Sequence, residues 1–204
     1  MEKLDLAKAY KSYYSAPVKP QLVQFGPISY VSIVGQGDPN ESGFAAATEA
    51  LYTVAYSVKA HHKKLNQDFT VAKLEGQWWV DGDPRTALQV PKELWHWKLL
   101  IRMPDYVTVD QITRAREAAA AKKKELTLIS HVNHATLHEG TCVQMLHVGP
   151  YSTEPETLSQ METYMENNQQ SIHGLHHEIY VSDPRRVEPA KLKTILRYPV
   201  RPIE

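Results

Sequence analysis

Trp97-Lys98-Leu99-Leu100-Ile101-Arg102-Met103-Pro104 and Leu192-Lys193-Thr194-Ile195-Leu196-Arg197-Tyr198-Pro199 align without a gap. Lys, Arg and Pro recur at the same places, with aliphatic residues between them. Just upstream, Pro91-Lys92-Glu93-Leu94 answers Pro189-Ala190-Lys191-Leu192 after a short insertion. Further upstream, Gly35-Gln36-Gly37-Asp38-Pro39-Asn40-Glu41 and Gly149-Pro150-Tyr151-Ser152-Thr153-Glu154-Pro155 each end an apolar run and precede a helical pattern. The repeat predicts two copies of one strand-helix-strand-strand unit, an α+β architecture. Two copies are too few for a solenoid, so they are expected to close on each other as one pseudo-twofold domain. The cleft between them is the natural place for a ligand.

Working outward, residues 1–20 are mixed polar with Pro17 and Pro20 and read as an N-terminal arm laid over a single domain at 21–204. Repeat one occupies about 21–106 and repeat two about 141–202. Gln21 to Val34 reads as a strand broken at Gly26-Pro27. Asn40 to Lys64 carries Phe44, Ala47, Leu51, Val54, Ala55 and Val58 at helical spacing. Thr70 to Val80 and Trp95 to Met103 read as strands, with a loop at Asp81-Gly82-Asp83-Pro84 between them. Thr108-Val109-Asp110-Gln111 matches a capping box and opens a long connecting helix over about 108–130 that the second copy lacks. In repeat two, Thr141–Val148 is a strand. Thr153-Glu154-Pro155-Glu156 opens a helix with a second capping box, and Leu158, Met161 and Met165 give it a buried stripe. His176–Val181 and Lys193–Tyr198 close the unit.

The chain of 204 residues is long enough for a sizeable core. Its 23 Lys plus Arg balance 23 Asp plus Glu, so no net field draws it to nucleic acid or an anionic membrane. A single cysteine, Cys142, permits no internal disulfide and suits a reducing compartment. With a charged start and no apolar run of spanning length, a cytoplasmic protein is expected. The 11 Tyr and 4 Trp against 3 Phe favour aromatics with a polar tip, which suit a ligand cleft or an interface.

His176-His177-Glu178-Ile179-Tyr180-Val181-Ser182-Asp183-Pro184 is the sharpest local feature. Strand alternation puts His177, Ile179 and Val181 on one face and His176, Glu178 and Tyr180 on the other. Two readings stand. The polar face either lies in water, or it lines a cleft where Glu178 orients a cation or activates water beside Tyr180. Trp95 and Trp97 share one face of their strand, and one of Trp78 and Trp79 reaches the same side. Together with Tyr151 they read either as core filling or as the aromatic wall of a site for a flat or cationic molecule.

Other chemistry is poorly supported. His131, His134 and His138 fall on one helix face if the connecting helix runs that far, without carboxylate or cysteine partners, and read as a surface cluster rather than a metal site. His177-Glu178 lacks the second histidine of a zinc motif, because Val181 stands there. Cys142 has no activating neighbour and reads as a buried, inert thiol. No nucleophile elbow, P-loop or dinucleotide fingerprint occurs. Neither a metal nor a cofactor is expected.

Lys73-Leu74-Glu75-Gly76-Gln77-Trp78-Trp79, the Trp97–Pro104 strand, and His177–Arg186 continuing to Lys191–Arg197 resemble the GyrI-like small-molecule-binding family over about Gln21 to Pro202. The chain is similar to the stand-alone branch, without the helix-turn-helix of related activators. The resemblance implies paired β-α-β-β repeats forming one antiparallel sheet, with helices on one face and a ligand cleft on the other. It also implies a late-strand glutamate at the floor of an aromatic pocket, which Glu178 matches. One stand-alone subfamily hydrolyses the cyclopropane ring of DNA-alkylating natural products such as yatakemycin, and the Trp-Trp strand and Trp97 resemble that branch. The paired His176-His177 before Glu178 departs from the pattern and brings titratable groups to the site.

The expected function is therefore cytosolic hydrolysis of a strained cyclopropane, protecting the cell. Glu178 and Tyr180 would be the catalytic residues, and Trp79, Trp97 and Tyr151 would hold a small hydrophobic or planar aromatic ligand. The alternative is binding and sequestration of hydrophobic or cationic drugs without chemistry. A third reading, inhibition of a target such as DNA gyrase by contact, rests on the family name alone. Neither nucleic acid nor a membrane is expected as a partner, and the sequence leaves the oligomeric state open.

Overall fold

The computed structural model describes residues 3–82, 87 and 89–203, so Asp83 and Pro84 of the expected loop lie outside the described residues. In chain order the first elements are β1 (Leu4–Asp5), α1 (Leu6–Ala9), α2 (Lys11–Tyr14), β2 (Gln21–Phe25), β3 (Ile28–Gln36) and α3 (Ser42–Lys64). Next come β4 (Phe69–Thr70), β5 (Leu74–Trp79), β6 (His96–Arg102), α4 (Val109–Lys122) and β7 (Asn133–Leu137). The chain closes with β8 (Gly140–Val148), α5 (Glu154–Asn167), β9 (Gln170–Ile172), β10 (His176–Tyr180) and β11 (Lys193–Pro202). The fold is α+β, with antiparallel sheet and helices distributed over two compact units.

The first unit comprises residues up to Ala9 and Ile28–Leu137. Its sheet runs β5-β6-β3-β7, all antiparallel, and β1 pairs with β4 in parallel. On α3, Ala47, Ala50, Leu51, Val54, Ala55 and Val58 form the stripe that the 3.6-residue period predicts, each at 1% exposure or less. They pack on Val31 and Ile33 of β3 and Leu99 and Ile101 of β6, which alternation places on one sheet face. The capping box at the start of α4 forms as predicted: Gln111 N donates to Thr108 Oγ1, and Thr108 N donates to Gln111 Oε1.

The second unit comprises Tyr10–Pro27 and the chain from His138 onward. Its sheet runs β2-β8-β11-β10, with β9 on the far end of β11. Val143 and Met145 of β8, Leu196 and Val200 of β11, and Met161 and Met165 of α5 form its core, with Leu158 at the margin.

The two units share one plan, as the repeat predicts. Each has a first strand, a helix, a middle strand and a last strand, and the last pairs with both others: β3-β6-β5 in one, β8-β11-β10 in the other. The sequence alignment holds at the level of single residues. Gly35 lies opposite Trp97 in the β3–β6 register, and Gly149 N donates to the Leu192 carbonyl at 3.0 Å. Arg102 lies opposite Tyr30 and Arg197 opposite Gln144, and both arginines are buried.

Three expectations need correction. The broken strand at 21–34 is two strands: β2 joins β8 in the second unit, while β3 belongs to the first. The connecting helix ends at Lys122, and a 3-10 turn over Thr127–His131 and then β7 follow. Leu126, Leu128 and Ile129 explain this, because two residues apart on a helix point to well-separated directions. The tight turn instead buries Ile129 with Leu126 and Leu128 against the core. The three histidines therefore do not share a helix face: His131 ends the turn, His134 lies in β7 at 3.1 Å from Ser29 Oγ, and His138 follows β7. Finally, Thr153 makes no side-chain cap on α5. Its hydroxyl donates to the Pro150 carbonyl at 2.9 Å instead.

Candidate active site

In β10 the register pairs Glu178 with Leu196 and Tyr180 with Thr194, while β11 sets Leu196 opposite Met145 of β8. Leu196 and Met145 are core residues packed with α5, so Glu178 is on the helix-covered face rather than a solvated one. Its side chain is 12% exposed. His176 Nε2 donates to Glu178 Oε1 at 3.1 Å, and the His176 ring packs on Tyr198 with centroids 4.8 Å apart. His176 Nδ1 is buried without a hydrogen-bond partner.

The start of α5 brings a second carboxyl to this face. Glu154 is 8% exposed, and its Oε1 has no hydrogen-bond partner. Burial, and then the charge of Glu178, push its carboxyl well above the usual carboxylate range, so it holds its proton at neutral pH. Tyr151, just before the helix, meets Tyr180 edge-on with centroids 6.1 Å apart. Burial raises the Tyr151 phenol to about 12, with Glu178, Glu154 and Asp183 adding to the shift. Burial likewise raises Tyr198, helped by Glu162 and Glu178. These phenols therefore remain hydrogen-bond donors rather than anions.

His147 of β8 holds this helix start in place. Its Nε2 lies 3.1 Å from the Pro150 carbonyl, which can only accept, so that nitrogen carries a proton. Nδ1 is then free to accept from the Thr157 hydroxyl at 2.8 Å. Gly149 lets the chain turn here: its φ is +145°, and a Cβ would stand 3.0 Å from Thr153 Oγ1. The turn sets Tyr151 and Glu154 over β10. Chemically, the face combines a neutral buried acid, a carboxylate held by an imidazole, and neutral phenols. Such a set of groups can donate and accept protons.

Residues 104–201 match the GyrI-like small molecule binding domain. Three solved structures from Listeria innocua resemble the chain along nearly its whole length. One is an uncharacterized conserved protein, 36% identical with a TM-score of 0.89, and two are described as hydrolases, 35% and 34% identical with TM-scores of 0.85 and 0.87. Each alignment covers 98% of this chain and 100% of the other. The chain belongs to the GyrI-like family. No curated protein matches it.

In this GyrI-like chain the expected site residues fall in both units. Glu178, Tyr180 and Tyr151 meet in the second unit. Trp79 and Trp97 lie in the first unit, and on opposite faces of its sheet. Trp78 is opposite Trp97 in the β5–β6 register and Trp79 opposite His96. Trp97 is 4% exposed, beneath Phe44 with centroids 5.3 Å apart, on the face packed against α3. Trp78 stacks on the same Phe44, and Trp95 Nε1 donates to the Val90 carbonyl. Trp79 is half-buried and stacks on His96 at 5.3 Å. The structure therefore does not bring Trp79 and Trp97 to one wall.

The other face of the second unit's sheet carries a buried ionic cluster. His177 Nδ1 donates to Glu139 Oε1 at 2.8 Å, and Arg197 Nη1 donates to Glu139 Oε2 at 3.2 Å. The Arg197 guanidinium also donates to Gln144 Oε1 and the Tyr13 carbonyl, and sits between the Tyr13 and Phe25 rings at 4.4 and 4.2 Å. It clamps the N-terminal segment of this unit to the sheet. His177 and Arg197 hold the Glu139 carboxyl at about 2 against the opposing cost of burial. Of the paired histidines, then, His176 reaches Glu178 and His177 does not. Cys142 is the buried thiol the sequence suggests, and burial pushes it up to about 12.

Sequence reasoning missed Glu154, His147 and Tyr198. Glu154 reads as an ordinary first-turn acid. Only its neighbour Tyr151, already a candidate, pointed toward this helix start. No helix of the described residues is long and apolar enough to cross a membrane.

Proposed function

We propose that this GyrI-like protein is a cytosolic hydrolase that adds water across the strained cyclopropane of planar DNA-alkylating compounds and so protects the cell. The observation that carries the reading is the buried carboxyl of Glu154, unpartnered at Oε1, at the start of the helix that covers the face of Glu178, where Tyr151 meets Tyr180. Glu178 takes a proton from water as the oxygen bonds to the ring carbon. The breaking carbon–carbon bond sends its electrons through the conjugated system to the carbonyl oxygen. Tyr180 donates a hydrogen bond to that oxygen, and Glu154 supplies the proton it gains. Tyr151 and Tyr180 hold the planar ring. Trp79 keeps part of an indole surface accessible in its own unit, whereas Trp97 is spent on the core. The description of two full-length relatives as hydrolases agrees with the reaction class.

The alternative is sequestration of hydrophobic or cationic drugs, which the carboxylate of Glu178 among Tyr151, Tyr180 and Tyr198 would suit. Incubating purified protein with an excess of a cyclopropane-bearing alkylator separates the two. Hydrolysis gives ring-opened product beyond one equivalent. Sequestration gives saturable binding by equilibrium dialysis with the compound recovered intact.

A further inference from the structure

We infer that the sheet of the first unit binds an aryl carboxylate on its face away from α3, with Trp79 and His96 taking the ring and Lys98 the carboxylate. This second site stands apart from the hydrolase reading, whose proton-transfer groups lie in the other unit.

Strand alternation sets the place. Trp97 faces α3, so its neighbours on β6, His96 and Lys98, point to the opposite face. The β5–β6 register puts Trp79 opposite His96 and Gln77 opposite Lys98 on that face. The Trp79 and His96 rings stack with centroids 5.3 Å apart, 11° from parallel. On the other side of Lys98 the β3–β6 register puts Val34, which is 59% exposed. This end of the face is therefore open to solvent beside a half-buried indole and a half-buried ammonium.

The charge there selects the ligand. Among the described residues no acid pairs with Lys98, and burial lowers its hold on the proton. A bound carboxylate restores the charge that burial disfavours, whereas a cation on the Trp79 ring would meet the ammonium. Glu75, next along this face of β5, is completely buried, so the charge within a ligand's reach is that of Lys98. His96 Nε2 is buried without a hydrogen-bond partner; Asp81 Oδ1 stands 3.4 Å away on a side chain that is 92% exposed. The matching lysine of the second copy, Lys193, is exposed. Cover around Lys98 thus belongs to the first copy and not to the repeat.

The spacing agrees. Two residues apart on one strand, His96 and Lys98 are separated by about 6.5–7 Å. An aryl carboxylate fits that step: its ring extends the Trp79–His96 stack, and its carboxylate meets the ammonium through a charge-assisted bond of about 2.8 Å. The Gln77 amide, opposite Lys98, offers a neutral donor to the second carboxylate oxygen.

The test uses the full chain and three probes of one shape: 1-naphthoate, neutral 1-naphthamide and cationic 1-naphthylmethylammonium, each followed by equilibrium dialysis. Naphthoate should bind roughly 10–100-fold more tightly than the other two, and high salt should narrow that margin. Lys98→Gln should erase the margin while naphthamide binds as before. Trp79→Leu should weaken naphthoate and naphthamide together. Thermal melts check that both variants fold. Proton NMR of the wild type tests the place without a variant, because naphthoate should shift the His96 ring signals. Glu178→Gln should leave naphthoate affinity unchanged. Equal wild-type affinities for naphthoate and naphthamide, no saturable naphthoate binding, or a margin that survives Lys98→Gln overturns the inference. So does loss of naphthoate binding in Glu178→Gln, which would place the ligand in the second unit.

Discussion

His147 Nδ1 lies 2.8 Å from Thr157 Oγ1, a bond from mid-sheet β8 to the first turn of α5. With Nε2 on the Pro150 carbonyl, the imidazole spans the turn that presents Tyr151 and Glu154. Thr157→Val keeps the shape and removes the donor, leaving a buried nitrogen unpaired. It should cost about 1–3 kcal/mol in chemical denaturation. Because the turn carries the acid, turnover should fall by more than the affinity for an aromatic ligand.

Glu154 makes stability depend on alkaline pH. Its folded carboxyl titrates at about 9, above the ordinary 4.5, so the native state binds the proton more tightly than the unfolded chain. That contribution is complete below the unfolded value, declines as pH rises above it, and is gone once pH passes the folded value. Glu154→Gln should flatten this decline. Denaturant midpoints from pH 5 to pH 9 should converge at the low end, with the variant the more stable at the high end.

Glu139 gives the opposite sign. His177 and Arg197 depress its carboxyl from 4.5 to about 2, so its contribution is present above the unfolded value and lost as pH falls through the folded one. Glu139→Gln leaves Arg197 and His177 buried without their anion and should cost about 3–5 kcal/mol at neutral pH. Urea titration at pH 7 and again near pH 2 reads both: a large gap at the first, little at the second.

Gly35 tests the repeat. A Cβ there would stand 2.1 Å from the Trp97 ring, so Gly35→Ala should destabilise by about 1–3 kcal/mol. In the second copy the position aligned with Trp97 is Leu192. Adding Trp97→Leu to Gly35→Ala should therefore recover part of the loss. Thermal melts of the two single variants and the double variant show whether they couple.

The repeat was legible because Lys, Arg and Pro recur at fixed offsets and strand pairing carries those offsets into space. Arg102 and Arg197 occupy matching places, and the Thr108 capping box formed because all its partners lie within one turn. The site was less legible because its partners come together only through tertiary cover. Alternation alone puts Trp78 and Trp79 on opposite faces, but which of them joins Trp97 depends on a β5–β6 register that one residue of slip would reverse. Thr153 looked like a cap, but its hydroxyl found the Pro150 carbonyl instead. Glu154 enters the sequence only as part of the Thr153–Glu156 helix start, and nothing local to residues 153–156 shows that it is covered. For Glu178, strand alternation leaves only two faces, and the structure puts it on the helix-covered one.

The central claim is that Glu178 activates water at this face. The most direct measurement is the single-turnover rate of cyclopropane opening by wild type and by Glu178→Gln, alongside the affinity of each for the same planar compound. The account predicts a rate lower by roughly 10²–10⁴-fold with affinity largely kept. A Glu178→Gln variant that opens the ring at the wild-type rate would contradict it.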